Sequence, residues 1–229
     1  MKLFLFDLDG VLVYPDFSYF KVARREIVEF LKQFGISLSI ESPFFKKVYD
    51  AIHAKFKDPK IAWEIYSEVS KRIEKYELEA LSKAKLLIGF REILKELKSN
   101  GYMAGVFSQG ARKYVVKALH ILGCNDIIDV FVSRDDHIRP KPYPDGILKA
   151  CATMGIESRE CVFIGDTWLD VETALNAGAI PVIYRYDKDY KKIKAKYREG
   201  ILVLEELTVE NLVQLLRILS IEKILDEIQ

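Results

Sequence analysis

Two carboxylates two residues apart, Asp7 and Asp9, followed by Gly10, have the clearest capacity for chemistry in this sequence. They come after the apolar run Leu3 to Phe6, which predicts a strand buried on both faces. Residues two apart on an extended chain project to the same side, so both acids can lean toward one point. Two like charges held that close raise one pKa unless a cation neutralises them. A strand that delivers such a pair past its carboxyl end is a candidate metal or phosphate site. Asp-Gly also suits a plain polar turn, so the other polar residues must decide between the two readings.

Those residues fall into a pattern. Ser108 follows a predicted strand over Met103 to Phe107, Asp166 follows one over Cys161 to Ile164, and Lys141 lies among Pro140, Pro142 and Pro144 in a polar loop beyond the strand Val130 to Val132. Asp170 comes one helical turn after Asp166 and faces the same way. Taken singly, Ser108 reads as a helix N-cap, and Asp166 and Asp170 as a cap and a solvated turn. Taken jointly, they stand at the carboxyl ends of strands, where parallel α/β sheets bind ligands.

The elements that must position these groups divide the chain. Residues 15–87 read as helical, between flanks that read as strands. Tyr14-Pro15-Asp16 is a turn in which Asp16 caps a helix bearing Phe20, Ala23, Ile27, Phe30, Leu31 and Phe34 and ending at Gly35. Ser42-Pro43 and Asp58-Pro59 each read as an N-cap with proline at the first helical position, opening helices over 42–57 and 58–84. Their inward faces are predicted as Phe45, Val48, Ile52 and Phe56, and as Ile61, Ile65, Val69, Ile73 and Tyr76. From Gly89 onward helices and strands alternate, ending in a helix over 208–228 with Leu212, Leu215, Leu216, Leu219, Ile224 and Ile228 inward. That order implies an α/β fold, a doubly wound parallel sheet with helices on both faces. The expected organisation is a core of residues 1–14 and 88–229 with an inserted helical domain of 15–87.

The chain of 229 residues is half hydrophobic and carries a formal charge of +1, which gives no electrostatic footprint for nucleic acid or an anionic membrane. No apolar run approaches the roughly 18 residues of a membrane span, and the start has no signal-peptide shape. Cys124, Cys151 and Cys161 have no metal-ligand spacing and suggest a reducing, cytoplasmic setting. Abundant Lys and Glu with scarce Asn and Gln lean toward a thermophile's composition. His53, His120 and His137 share no ligand spacing, and the basic run Lys188 to Arg198 reads as a solvated surface.

Four motifs, in order, resemble the haloacid dehalogenase-like (HAD) hydrolases over nearly the whole length. They are Asp7-Leu8-Asp9-Gly10-Val11, Val106-Phe107-Ser108-Gln109-Gly110, the lysine of Arg139-Pro140-Lys141-Pro142, and Gly165-Asp166-Thr167-Trp168-Leu169-Asp170. The resemblance implies a Rossmann-like core with the first strand central and a helical cap domain, as in phosphoglycolate phosphatase-like members. It implies a Mg²⁺-dependent phosphatase acting on a small-molecule phosphate ester. Asp7 is then the nucleophile that forms an aspartyl-phosphate, and Asp9 the acid that later serves as base. Mg²⁺ is then held by Asp7, Asp166 and the backbone carbonyl of Asp9, with Asp170 orienting a metal-bound water. Lys141 pairs with Asp7 and the phosphate, while Ser108, Gln109 and Gly110 bind phosphate oxygens. Gln109 replaces the Asn common in relatives, and Tyr14-Pro15-Asp16 replaces an Asp-Ser pair at the hinge. Asp9 argues against dehalogenase chemistry. A phosphomutase of the same fold (β-phosphoglucomutase-like), and a non-enzymatic phospho-acceptor or binding protein, are the alternatives.

Overall fold

A computed structural model describes residues 2–184 and 201–228. The first strand, β1 (Leu3–Phe6), lies inside a six-stranded parallel sheet. It pairs on one side with β4 (Met103–Phe107) and on the other with β6 (Cys161–Gly165), placing Phe6 opposite both Val106 and Ile164. Beyond β4 lies β5 (Val130–Val132), and beyond β6 lie β7 (Ile180–Tyr184) and β8 (Leu202–Leu204), giving the order β5-β4-β1-β6-β7-β8. The fold is the expected doubly wound α/β sheet with β1 central.

Alternation along β1 sends side chains into two separate layers. Phe4 and Phe6 pack with residues of α4 (Phe90–Ser99), α5 (Arg112–Ile121) and α8 (Val209–Ile228), including Leu94, Val115 and Leu212. Leu3 and Leu5 pack on the opposite face with α6 (Asp145–Met154) and α7 (Trp168–Ala177), through Ile147 and Ala174. A one-residue slip would exchange the two sets and turn Asp7 away from the strand ends, so burial on both faces fixes the register of the acidic pair.

Three helices lie between Tyr14 and Lys85: α1 (Phe17–Lys32), α2 (Phe44–Lys55) and α3 (Pro59–Ser82). They gather a hydrophobic cluster of their own around Ile27, Leu31, Val48, Ile52, Val69 and Ile73. Asp16 and Asp58 cap α1 and α3 as expected, accepting from Ser18 N at 2.9 Å and Lys60 N at 2.8 Å. Pro43 departs from expectation. It occupies the N-cap of α2 rather than the first helical position, and no side chain caps that helix. Ile61 is 43% exposed, whereas Ala62 and Tyr66 are buried. The inward stripe of α3 runs Ala62, Ile65, Tyr66, Val69 and Ile73, and Ile61 lies one residue, about 100° of helix rotation, off it.

The segment 15–87 is not helical throughout. Its entry and exit form a two-stranded antiparallel ribbon, β2 (Val13–Tyr14) with β3 (Lys85–Leu86). The strands are two residues each, too short for period-2 alternation to reveal them in sequence. On α8, Leu212, Leu215, Leu216 and Leu219 are buried. The expected inward positions of Ile224 and Ile228, and the basic run Lys188 to Arg198, lie outside the described residues and side chains. Among the described residues, no helix is long and apolar enough to cross a membrane.

Candidate active site

The carboxyl ends of β1, β4 and β6 meet at one place, and the loop before α6 closes on it. Asp7 continues the β1 ladder, its N–H donating to Ile164 O at 2.8 Å. Its Oδ1 accepts from Leu8 N at 2.8 Å, which fixes the rotamer. The Lys141 ammonium, only 3% exposed, sits 2.9 Å from Asp7 Oδ1 and 2.7 Å from Asp170 Oδ1. It also lies over the rings of Phe107, the last residue of β4, and Phe163 of β6. The prolines flanking Lys141 restrict its loop.

Asp170 has two functions at once. Thr167 is the N-cap of α7, and Asp170 Oδ2 completes a capping box by accepting Thr167 N at 2.9 Å and Thr167 Oγ1 at 2.6 Å. Its other oxygen holds Lys141. The helix-cap reading and the site reading of this residue are therefore both satisfied.

Asp7, Asp166 and Asp170 each bring an oxygen within 4.8 Å of the others. Two glycines make that approach possible. A β-carbon on Gly10, whose φ is +86°, would stand 2.0 Å from Asp166 Oδ2, and one on Gly165 would stand 2.2 Å from Asp170 Cβ. Burial pushes the Asp7 carboxyl up to about 7 against the pull of Lys141. Burial, then the charges of Asp170 and Asp7, push Asp166 well above the carboxylate range. Burial opposes the Lys141 ammonium, but Asp170 and Asp7 outweigh it and hold its pKa above the usual lysine value. One ammonium thus faces three carboxylates. An all-oxygen donor set with unneutralised negative charge fits a hard divalent cation such as Mg²⁺.

Asp9 lines the same cavity as these three acids but is held by a different partner. Its carboxylate is not one of the three clustered acids, and its Oδ1 accepts a short hydrogen bond from the hydroxyl of Tyr114, a buried residue of α5. Burial lifts Asp9 up to about 7, and the Tyr114 hydrogen bond pulls it back down. Gln109 and Gly110 line the cavity above the carboxylates; the buried Gln109 side-chain oxygen has no hydrogen-bond partner among the described residues. Ser108 is fully buried beneath them. It does not line that cavity, and its Oγ accepts from Gly110 N at 2.9 Å.

A match to a family model described as haloacid dehalogenase-like hydrolase covers residues 1–178. The chain belongs to that family. Pyrophosphatase PpaX of Bacillus velezensis is 34% identical over 87 residues, which is 38% of this chain and 40% of that protein's length. Validoxylamine A 7'-phosphate phosphatase of Streptomyces hygroscopicus subsp. limoneus is 25% identical over 185 residues, 77% of this chain and 82% of that one. Among solved structures, a HAD hydrolase, family IA, variant 3, from Entamoeba histolytica superposes with a TM-score of 0.64 at 21% identity, over 95% of this chain and 100% of that one. This last likeness shows the fold.

Within the HAD fold, two features of this site escape the motif pattern. Tyr114 lies among the inward-facing residues of α5; its one advance signal is that a buried tyrosine needs a partner for its hydroxyl. The second feature joins α3 to the sheet. Arg134, just after β5, donates to Glu77 of α3 at 2.6 Å and to Gln109 O at 2.6 Å, and Glu77 Oε2 accepts from Ala111 N at 3.0 Å. Both side chains are almost fully buried, at 2% and 4% exposure. Elsewhere near the site, His137 is exposed, Arg134–Asp136 forms a short 3-10 turn, and Cys161 is core.

Proposed function

We propose that this HAD hydrolase is a Mg²⁺-dependent phosphatase that cleaves a small phosphate monoester through an aspartyl-phosphate on Asp7. The observation that carries the reading is the placement of Asp7: buried at the end of β1, with Lys141 2.9 Å away and a second acid, Asp9, held apart on Tyr114. A phosphate ester is an anion, so an anionic nucleophile needs positive charge beside it. Lys141 supplies one charge and orients Asp7 for in-line approach. Mg²⁺, held by Asp7, Asp166 and the Asp9 backbone carbonyl with Asp170 behind them, would supply the remaining charge neutralisation for nucleophile and phosphate.

Asp7 attacks phosphorus, and the bond from phosphorus to the ester oxygen breaks. Asp9, protonated, gives its proton to that oxygen as the alcohol leaves. Asp9, now ionised, takes a proton from a water molecule, which attacks phosphorus and frees inorganic phosphate and Asp7. A carboxyl with a pKa near neutrality is suited to both halves of this cycle. Gln109 and Gly110 line the cavity where the phosphate would bind. The Ser108 hydroxyl supports that loop from below.

Residues 15–87 would act as the cap over a core of 1–14 and 88–229, with the β2–β3 ribbon as the hinge. Three buried, unpaired cysteines are in keeping with a cytoplasmic enzyme. The test is phosphate release from a panel of phosphate monoesters with and without Mg²⁺, for the native chain and Asp7→Asn. Release that requires Mg²⁺ and disappears in Asp7→Asn supports the reading. Conversion of a sugar phosphate to its isomer without free phosphate would replace it with the phosphomutase.

A further inference from the structure

The cavity above Asp7 has a volume of about 210 Å³ and is bounded by two unlike surfaces. The core contributes the carboxylates, Lys141 and Gln109; the helical segment contributes mainly apolar side chains, among them Phe17, Phe20, Phe44, Phe45 and Ile73. A cavity of this size admits a small molecule rather than a polymer chain.

Two charged side chains of the helical segment also line it, and they differ. Glu77 is committed to Arg134 and to the Ala111 N–H. Arg24 of α1 is not committed. Its one hydrogen bond is Nη1 to Ile40 O at 3.3 Å, and it forms no ion pair with a described carboxylate. Its guanidinium lies 5.5 Å from the centre of the Phe44 ring. Burial alone shifts its pKa, downward, and no neighbouring carboxylate opposes that shift. A guanidinium has five donors, and a partly desolvated cation without a counter-ion is costly unless a ligand completes it.

We infer that Arg24 is the specificity determinant of this cavity, and that the substrate is a phosphate monoester whose leaving group carries a second oxyanion across an apolar or aromatic spacer. This rests on the phosphatase reading for the phosphate end. The spacer lies against the phenylalanines, and the second oxyanion, a carboxylate or a phosphate, meets the guanidinium in its two-pronged geometry.

Binding by non-hydrolysable analogues tests the inference directly. The ligands are benzylphosphonate, its 4-carboxy derivative and its 4-phosphonomethyl derivative, titrated calorimetrically with Mg²⁺ into the native chain, Arg24→Gln and Arg24→Lys. The native chain is expected to bind at least one doubly anionic ligand about tenfold more tightly than benzylphosphonate, which of the two showing which oxyanion the site takes. In Arg24→Gln that ratio falls to about one, and Arg24→Lys keeps part of it. A native ratio near one, or a ratio that survives in folded Arg24→Gln, overturns the inference. Hydrolysis of the matching benzyl phosphates is read separately. If the preference holds and no ester releases phosphate, the anion site stands and the phosphatase reading fails.

Discussion

Removing the Tyr114 hydroxyl isolates the acid–base role assigned to Asp9. Tyr114→Phe deletes one oxygen, the donor to Asp9 Oδ1, and keeps the ring in its buried place. A hydrogen bond to a charged group contributes about 1.5–3 kcal/mol, and one pKa unit corresponds to about 1.36 kcal/mol. The Asp9 carboxyl, now up to about 7, should therefore rise by roughly one to two units in the variant. The direction follows because the lost bond stabilises the ionised form. At about pH 7 the ionised fraction of Asp9 falls from near one half to roughly 1–10%, so the water-activating half of the cycle slows about 5- to 50-fold. The assay is kcat against pH by phosphate release. The acid limb of the profile should move to higher pH by one to two units, with activity recovering in alkaline buffer. A variant profile that superimposes on the native one, or one lowered by the same factor at every pH, refutes the assignment.

Other perturbations probe the remaining parts. Gly165→Ala places a β-carbon 2.2 Å from Asp170 Cβ, so it should displace Asp170 from Lys141 and cut kcat by about 100-fold or more while circular dichroism keeps the α/β signature; native kcat would contradict the packing argument. Glu77→Ala leaves Arg134 buried without its carboxylate, a loss of about 3–5 kcal/mol, and at roughly 2–4 °C per kcal/mol for a chain of this size the thermal midpoint should drop by about 6–20 °C. For Mg²⁺ the expectation concerns sign. The folded-state pKa of Asp7 is raised from 3.8 to about 7, so the metal-free fold binds more protons than the unfolded chain across that window and loses stability as pH rises through it. A divalent cation binds the ionised carboxylates, so its stabilisation should grow over the same window. Midpoints with and without Mg²⁺ should differ more at about pH 8 than at about pH 5, and equal gains at both would count against the carboxylate cluster as the site.

Much of the fold and part of the candidate site are legible in the sequence. The reason is that both depend on local pattern. Buried parallel strands leave continuous apolar runs, so β1, β4 and β6 were legible, and their carboxyl ends located Asp7, Ser108 and Asp166. Lys141 was legible because its prolines mark a rigid loop at a strand end. What was not legible is tertiary. Tyr114 occupies an ordinary inward position on α5, and only the approach of Asp9 from β1 gives its hydroxyl a function. Glu77 and Arg134 are separated by 57 residues and meet only where α3 packs on the turn after β5. The free donors of Arg24 follow from the absence of an ion-pairing carboxylate among the described residues around it, and sequence records no such absence. Ile61 was misplaced on α3 for a smaller reason: a one-residue error in phase turns an apolar side chain to solvent.

The most direct test of the account is chemical trapping of the proposed phospho-enzyme. Asp9→Asn, which lacks both the acid of the first half and the base of the second, is mixed with Mg²⁺ and an aryl phosphate whose leaving group departs without protonation, quenched in acid, reduced with borohydride and analysed by peptide mass spectrometry. Borohydride converts an acyl-phosphate to an alcohol, so the account predicts homoserine at position 7 and nowhere else, and none in Asp7→Asn. Rapid phosphate release by the native enzyme with no modification at Asp7 in the trapped variant, or with full activity in Asp7→Asn, would contradict it.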